Sequence, residues 1–252
     1  FIYEHNLQMA AENQPVRTFF VVTVGDSRVL VVSPAASARI TRAEDLKGAS
    51  IGIPSPGSGS HLFLKHYLGT HGLGAGDYSV VSVGMGATAL AALESGRVDA
   101  VVLSGGDHLR FLAKFPKARI VVDASTVEGM RESFGTELYP MGTLTARQSW
   151  LDHNGEAARR LTRVLRRTLE WVETHTPEEI RGKLPEGFRS PDEAMDLKII
   201  DWGRKKYNRD GAMPLGGPEA MKRHLDATID KVREAKIDLA ATWTNGFLPV
   251  TR

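Results

Sequence analysis

Residues 49–70 read ASIGIPSPGSGSHLFLKHYLGT, and this stretch decides the fold. Ala49–Ile53 is a short apolar run of the kind that forms a buried strand, and His61–Thr70 has helical character. Between them, residues 54–60 contain only proline, glycine and serine, which favour a turn. The stretch therefore predicts a strand, a tight turn and a helix, which is the repeating unit of an α/β fold.

The same pattern recurs farther along the chain. Tyr78–Val83 and Val98–Leu103 are predicted strands, and glycine-rich turns follow them at residues 84–88 and 104–107. In open α/β sheets the ligand lies beyond the carboxyl ends of the strands. We therefore expect the three turns to lie along one edge of a single sheet and to form one wall of a pocket. Beyond about residue 150 the sequence pattern becomes mainly helical.

The turn before residue 61 has the features of an anion site. Ser58, Gly59 and Ser60 lie where a helix N-terminus offers free N–H groups and the positive end of its dipole. The spacing matches neither a Walker loop nor a G-x-G-x-x-G dinucleotide motif. For this turn alone, an ordinary serine cap in a βα loop is the alternative, and the two similar turns downstream favour a ligand site.

The composition excludes several function classes. The 252 residues include 32 Lys and Arg and 30 Asp and Glu, so the net charge of +2 gives no field that favours nucleic acid. With no cysteine, the chain cannot form disulfides, thiolate zinc sites or a cysteine nucleophile. No apolar run approaches the roughly 18 residues that a membrane span needs.

The histidines and serines do not form a familiar catalytic pattern. His61 and His66 are five residues apart, which does not place two metal ligands on one helix face, and no His-Glu-x-x-His motif is present. Residues 57–59 lack the spacing of a nucleophile elbow. We therefore predict no metal, no cofactor and no catalytic residue, and interpret all eight histidines except His5 as structural or surface residues.

Several motifs resemble those of the solute-binding proteins of ABC importers. Residues 43–53, AEDLKGASIGI, with PGSGS at 56–60, are similar to the family's "edLkGk-iGv…GS" signature. Residues 89–100, ALAALESGRVDA, are similar to its "aAl-sG-vDA" motif. DGAMP at 210–214 and the segment 238–245 resemble the nitrate/sulfonate/taurine branch, which shares its fold with thiamine-pyrimidine synthases. The order and spacing of these motifs are specific to this group.

The resemblance implies a two-lobed α/β fold, the periplasmic-binding-protein type II fold. Each lobe would have a mostly parallel sheet flanked by helices, and hinge closure would trap the ligand in the cleft between them. Residues 30–145 would form lobe II, and residues 1–29 and 146–252 would form lobe I. Members of the family usually begin with a further βαβ unit, so this chain is expected to lack that unit and the signal segment.

The resemblance also implies which residues contact the ligand. Helix N-termini hold the ligand's anionic group in this family, which carries over to residues 58–60 and 86–88. Glu4-His5-Asn6 is similar to a "DH(T/N)" turn that faces the cleft in the family, and Ser104 opens the third glycine-rich turn. The candidate ligand-binding residues are His5, Asn6, Ser58, Gly59, Ser60, Gly86, Ala87, Thr88 and Ser104.

The function implied by the resemblance is capture of a small anionic solute for an ABC importer. The solute would be a sulfonate, nitrate, taurine or a carboxylate, since a helix N-terminus accepts all of these. The chain would be a periplasmic or membrane-anchored extracytoplasmic monomer that meets ABC permease subunits and binds no nucleic acid. Two alternatives stay open: an enzyme of the menaquinone-pathway type on the same fold, and a solute-binding protein of a tripartite transporter or a sensor. A thiamine-pyrimidine synthase would need a cysteine-rich motif that this chain lacks.

Overall fold

The computed structural model describes residues 1–14 and 16–249. The strands are β1 (Val16–Val21), β2 (Val29–Val32), β3 (Ser50–Ile53), β4 (Ser79–Ser82), β5 (Ala100–Leu103), β6 (Arg119–Asp123) and β7 (Thr143–Arg147). The helices are α1 (Tyr3–Ala11), α2 (Gly59–Thr70), α3 (Ala87–Glu94), α4 (Asp107–Lys114), α5 (Val127–Phe134), α6 (Gln148–His153), α7 (Gly155–Thr174), α8 (Pro177–Lys183), α9 (Glu193–Arg204), α10 (Gly217–Asp226) and α11 (Asp230–Glu234). Short 3-10 turns lie at Ala43–Leu46, Glu186–Phe188 and Leu239–Thr242.

The chain folds into two compact units. Unit 1 comprises Phe1–Gly25 and Thr136–Arg252, and unit 2 comprises Asp26–Gly135. The second boundary lies at Gly135 rather than after residue 145. The reason is that β7 pairs with β1, so the strand belongs with unit 1.

Unit 2 is built on a five-stranded sheet with the order β4-β3-β5-β2-β6. β3 runs parallel to β4 and β5, whereas β2 runs antiparallel to β5 and β6. The sheet is therefore mixed rather than mostly parallel. A βαβ crossover requires parallel strands, and α4 connects β5 to β6 in this way. β2 lies between those two strands and runs antiparallel to both.

The core of unit 2 packs α3 and α4 against the sheet. Buried residues of β2, β5 and both helices form one apolar cluster, which includes Val31, Leu93, Val101 and Phe111. In the middle of β3, a Cβ on Gly52 would lie 2.8 Å from Val101 Cγ2 and 2.9 Å from Val83 Cγ2. The absence of a side chain at Gly52 is what allows these neighbours to approach β3 so closely.

Unit 1 contains an antiparallel ribbon of β1 and β7 with mostly helical surroundings. The register shifts between Thr18 and Phe20, where the ribbon has an irregularity. Phe19, Leu151 and Ala158 form a buried cluster that joins the ribbon to α6 and α7. Within the described part of unit 1, the strands form this ribbon and not the mostly parallel sheet predicted for each lobe, because most of the chain beyond residue 147 is helical.

The longest helix is strongly amphipathic. α7 carries a run of arginines on its polar side, and Arg160 and Arg163 contact Glu156. This matches the prediction of an amphipathic helix over residues 156–172. Among the residues that the structure describes, no helix combines the length and the apolar character needed to cross a membrane.

Candidate functional site

The three predicted turns lie along one edge of the unit 2 sheet. Because β3 is parallel to both β4 and β5, the carboxyl ends of these strands share that edge. Neighbouring strands are about 4.8 Å apart, so the three ends span about 10 Å. We call this feature the turn edge; it consists of residues 54–60, 83–88 and 104–107. This arrangement confirms the topology expected from the sequence.

The first turn of α2 supplies oriented backbone donors. Ser58 is the N-cap of the helix, and its Oγ accepts the His61 N–H at 3.3 Å. The N–H groups of Gly59 and Ser60 belong to the first turn, where helix geometry provides no intrahelical acceptor. Ser60 is only 7% exposed, so its side chain can contact only the groups packed directly around it. The α2 end therefore has the donor geometry of an anion site, and it retains the small residues predicted there.

A buried arginine holds the start of α2. The Arg28 guanidinium donates to the Gly59 carbonyl and to the Asp26 carboxylate, and lies over the rings of Phe63 and Phe134 at 5.1 and 5.8 Å. Arg28 and Asp26 are 3% and 0% exposed. Since β2 runs antiparallel to β5, the residue before β2 lies at the turn edge. Sequence reasoning missed Arg28, because no local motif connects it to residue 59, which is distant along the chain.

His61 also belongs to the first turn of α2. Its Nδ1 accepts the Gly57 N–H at 3.0 Å, so the ring proton of the neutral form lies on Nε2. Burial, and then the charge of Lys65, lowers the pKa of His61 and favours this neutral form. The sequence alone predicts a structural or surface role for this histidine. Its position directly after residues 58–60 was the signal that it shares their site.

The α3 end differs from the α2 end because part of it is already occupied. The Gly86 N–H, at the N-cap of α3, donates to the Asp107 carboxyl at the start of α4. The Thr88 hydroxyl donates to the Met85 carbonyl at 3.0 Å. Ala87 and Thr88 are exposed on the same edge. Residues 86–88 therefore lie where the sequence predicted them, with one donor committed to a carboxylate of the same unit.

Ser104 opens the third turn and is half-buried. Its carbonyl accepts the Asp107 N–H at 3.2 Å, and two glycines at positive φ, Gly105 and Gly106, turn the chain into α4. This tight turn holds Asp107 at the turn edge. Burial raises the pKa of Asp107, although the Gly86 N–H and Arg110 act in the opposite direction.

His5 and Asn6 lie on α1 in unit 1. The Asn6 side chain is buried, and its Nδ2 donates to Thr18 Oγ1 at 2.7 Å and to the Thr242 carbonyl at 3.4 Å. Its Oδ1 accepts the hydroxyl of Thr145 at 3.2 Å. The Asn6 amide therefore ties α1 to both strands of the ribbon. His5 is half-buried, and burial lowers its pKa. A ligand contact by either residue stays a prediction.

Unit 1 also carries an apolar groove of about 830 Å³. Apolar side chains dominate it, with Phe19, Leu144, Trp150 and Leu161 beside the ribbon and the α6–α7 turn. Trp150 and Leu161 remain 37% and 45% exposed. Polar side chains, among them Arg147, Ser149 and His153, also line the groove. Across residues 1–14 and 16–249, no group of three metal-ligating side chains is placed to hold a metal ion.

The mixed sheet and flanking helices define a periplasmic-binding-protein fold of type II. A solved structure from Bordetella bronchiseptica RB50 is 31% identical, with a TM-score of 0.87 over 98% of this chain and 77% of that chain. The alkanesulfonate-binding protein SsuA from Xanthomonas axonopodis pv. citri, bound to MOPS, is 16% identical, with a TM-score of 0.66 over 94% and 76%. The desulfurization enzyme DszB is 16% identical, with a TM-score of 0.61 over 96% and 82%. The last two similarities concern the fold alone.

The sequence itself defines the family. Residues 3–180 match the family described as NMT1/THI5 like, and the chain belongs to this family. No curated protein sequence matches the chain. Several of the solved neighbours are described as binding proteins or transporter components, and one is described as an enzyme.

Proposed function

We propose that this chain is the solute-binding component of an ABC-type importer and that it captures a small anion at the α2 end. One observation carries the proposal: the first turn of α2 is held at the turn edge by the buried Arg28. Its backbone donors are therefore oriented before any ligand arrives. Family membership and the several neighbours described as binding proteins support the same class of function.

The chemistry of the α2 end suits an oxyanion. The first turn of α2 provides three N–H donors: the backbone N–H groups of Gly59 and Ser60 and the ring N–H at Nε2 of His61. Hydrogen bonds to a charged acceptor contribute about 1.5–3 kcal/mol each. Asp26 neutralises Arg28, so the attraction comes mainly from the helix dipole and the donors. Sulfonate, nitrate, taurine and carboxylates all fit this description.

The enzyme alternative has one specific observation in its favour, which is the DszB-like fold. The contacts at the turn edge favour a protein that binds its ligand without converting it. The Ser58 hydroxyl oxygen accepts a backbone N–H at the helix cap, and the His61 Nδ1 accepts another, so the pair does not form a nucleophile–base contact. Closure of two lobes over the ligand, a periplasmic location, ABC permease partners and a monomeric state remain predictions of this proposal.

Substitution of Ser58 by aspartate tests the site. A thermal-shift screen of nitrate, sulfate, acetate and ethanesulfonate first identifies a binding anion, because a ligand at 100 times its Kd adds about 2.7 kcal/mol of stability. In Ser58→Asp, the new carboxylate occupies the helix end and repels the anion. We expect at least a tenfold loss of affinity by calorimetric titration, or about 1.4 kcal/mol. The melting temperature should change little, since an acidic N-cap is favourable.

The matched control is Thr176→Asp. Thr176 is the N-cap of α8 in unit 1, where its hydroxyl accepts the Glu179 N–H at 3.3 Å. The same change of charge at this cap should leave the anion affinity within about twofold. If the affinity is unchanged in Ser58→Asp, the anion site does not lie at α2. If the wild-type chain binds none of the small anions, the proposed function is wrong.

A further inference from the structure

The apolar side of α7 is only partly covered by the rest of unit 1. Ala158, Thr162 and Leu169 are buried and hold the helix against its neighbours. Two bulkier apolar residues of the same helix face outward: Leu161 is 45% exposed and Val164 is 60% exposed. An amphipathic helix of a globular protein directs its apolar stripe to the core. The core of unit 1 therefore does not account for these two residues.

The outward residues belong to a stripe with the spacing of a heptad repeat. Its members follow one another at steps of three, four and three residues: Leu161, Val164, Thr168 and Trp171. Such steps keep side chains on one face of a helix, which has about 3.6 residues per turn. With a rise of 1.5 Å per residue, the stripe is about 15 Å long. We call it the α7 seam, and its length suits a docked helix of several turns rather than a small solute.

Two apolar grooves border the α7 seam. Val164 and Trp171 line a groove of about 590 Å³ between α7 and α8, together with Ile180 and Leu184. Leu161 lines the groove of about 830 Å³ beside the ribbon. Grooves of this kind receive apolar side chains that project from a partner helix at positions i, i+3, i+4 and i+7. A bilayer is entered by side chains that protrude, whereas Trp171 is half-buried, so the shape favours a helix over a membrane.

Cations predominate along one flank of the α7 seam. Arg160, Arg163 and Arg167 each precede a residue of the seam by one position. Arg160 and Arg163 share a single carboxylate, that of Glu156, at 3.3 Å each. Arg167 and Lys183 line the groove beside α8, and neither has a carboxylate partner in the part of the chain that the structure describes. The seam therefore combines apolar contact area with an excess of positive charge.

This charge disfavours a second copy of the chain as the occupant. Two copies related by a two-fold axis would bring the same surface against itself. The arginines that flank one seam would then meet those that flank the other, and like charges repel. A partner with carboxylates beside its apolar side chains has the complementary charge instead.

We propose that the α7 seam is a docking site for an acidic amphipathic helix of a partner protein. The partner's apolar side chains pack against Leu161, Val164 and Trp171, and its carboxylates face Arg167 and Lys183. The interaction is independent of the anion site proposed at α2, because the seam lies in unit 1 and α2 lies in unit 2. Either proposal can fail without the other.

Synthetic helical peptides are the probes for this site. The acidic peptide spans about three heptads, with leucine at positions a and d and glutamate at e and g. The basic peptide has lysine in place of glutamate, and the scrambled peptide keeps the acidic composition but loses the apolar stripe. Fluorescence anisotropy with the whole chain should show saturable binding of the acidic peptide, and binding weaker by about tenfold or more for the other two. Added salt should weaken binding of the acidic peptide, because it screens the charges.

Val164→Glu places a carboxylate in the middle of the α7 seam and should weaken binding of the acidic peptide by about tenfold or more. The matched control is Val127→Glu. Val127 is 44% exposed at the start of α5 in unit 2, so this variant should bind the peptide as the wild type does. Arg167→Gln should weaken binding about two- to fivefold, whereas Arg97→Gln, at an exposed arginine of unit 2, should not.

The proposal is wrong if the acidic peptide does not bind the wild-type chain, or if it binds Val164→Glu as tightly as the wild type. It is also wrong if analytical ultracentrifugation shows a wild-type dimer that Val164→Glu separates, since the seam then joins two copies of this chain. Vesicles of phosphatidylglycerol complete the test. If they bind the wild-type chain and the acidic peptide does not, the seam contacts a membrane rather than a helix.

Discussion

The turn edge of unit 2 and the groove of unit 1 offer a ligand different chemistry. The groove encloses about 830 Å³ beside Phe19, Trp150 and Leu161. The turn edge has small residues and backbone donors, and the buried ion pair of Arg28 with Asp26 lies beside it. For a small anion, oriented dipoles matter more than volume, because an apolar wall cannot replace the water that the anion loses.

The strand arrangement explains this difference. In unit 2, β3, β4 and β5 are parallel, so the helices that follow them all begin at one edge and direct their N–H groups there. In unit 1, β1 and β7 are antiparallel, and such a ribbon concentrates no helix ends and has only a small net dipole. We expect substitutions in the two regions to have separable effects, which the following variants test.

The largest expected effect is in Arg28→Met. Methionine retains much of the apolar contact with Phe63 and Phe134 but leaves the buried Asp26 carboxylate without its cation. Breaking a buried pair in this way costs about 3–5 kcal/mol. The free energy of unfolding measured by urea denaturation should fall by this amount. The protein that stays folded should also bind the anion more weakly.

Arg39→Met is the control for that variant. Arg39 pairs with Asp99 in the same unit, but the arginine is 52% exposed. The loss of this pair should cost less than about 1 kcal/mol. Equal losses in both arginine variants would mean that the Arg28 pair does not organise the turn edge as described.

An intermediate effect is expected in Asn6→Ala. This substitution removes the amide that bonds to Thr18 and Thr145, and leaves the buried hydroxyl of Thr18 and the half-buried hydroxyl of Thr145 with fewer partners. The free energy of unfolding should fall by about 1–3 kcal/mol. We expect the anion affinity of the folded chain to stay within about twofold. A tenfold loss of affinity would instead assign Asn6 the ligand role that the family resemblance implies.

The smallest effect is expected in Leu161→Gln. Leu161 lines the groove and is 45% exposed, so a polar side chain of similar length should change stability by no more than about 0.5 kcal/mol. Anion affinity measured by calorimetry should not change. A loss of anion binding in this variant would show that the groove, and not only the turn edge, takes part in the site.

Local patterns in the sequence were sufficient for the elements of unit 2. The apolar run before residue 54, the Pro/Gly/Ser turn and the helix after it were all predicted, and α2 begins at Gly59, close to the predicted start at His61. The capping role of Ser58 also follows from sequence, because its oxygen accepts an N–H only three residues away. The order of strands, turns and helices then indicated that the three turns share an edge.

The sequence by itself determined the fold class, the family motifs and the position of the glycine-serine turn at the start of α2, because each depends on residues that are neighbours along the chain. Only the tertiary structure decided that Arg28 holds Gly59, that Asp107 occupies the Gly86 N–H and that Asn6 is enclosed by Thr18 and Thr145. These contacts join residues from different elements. The pairing of the strands brings them together, and no local pattern of side chains specifies that pairing.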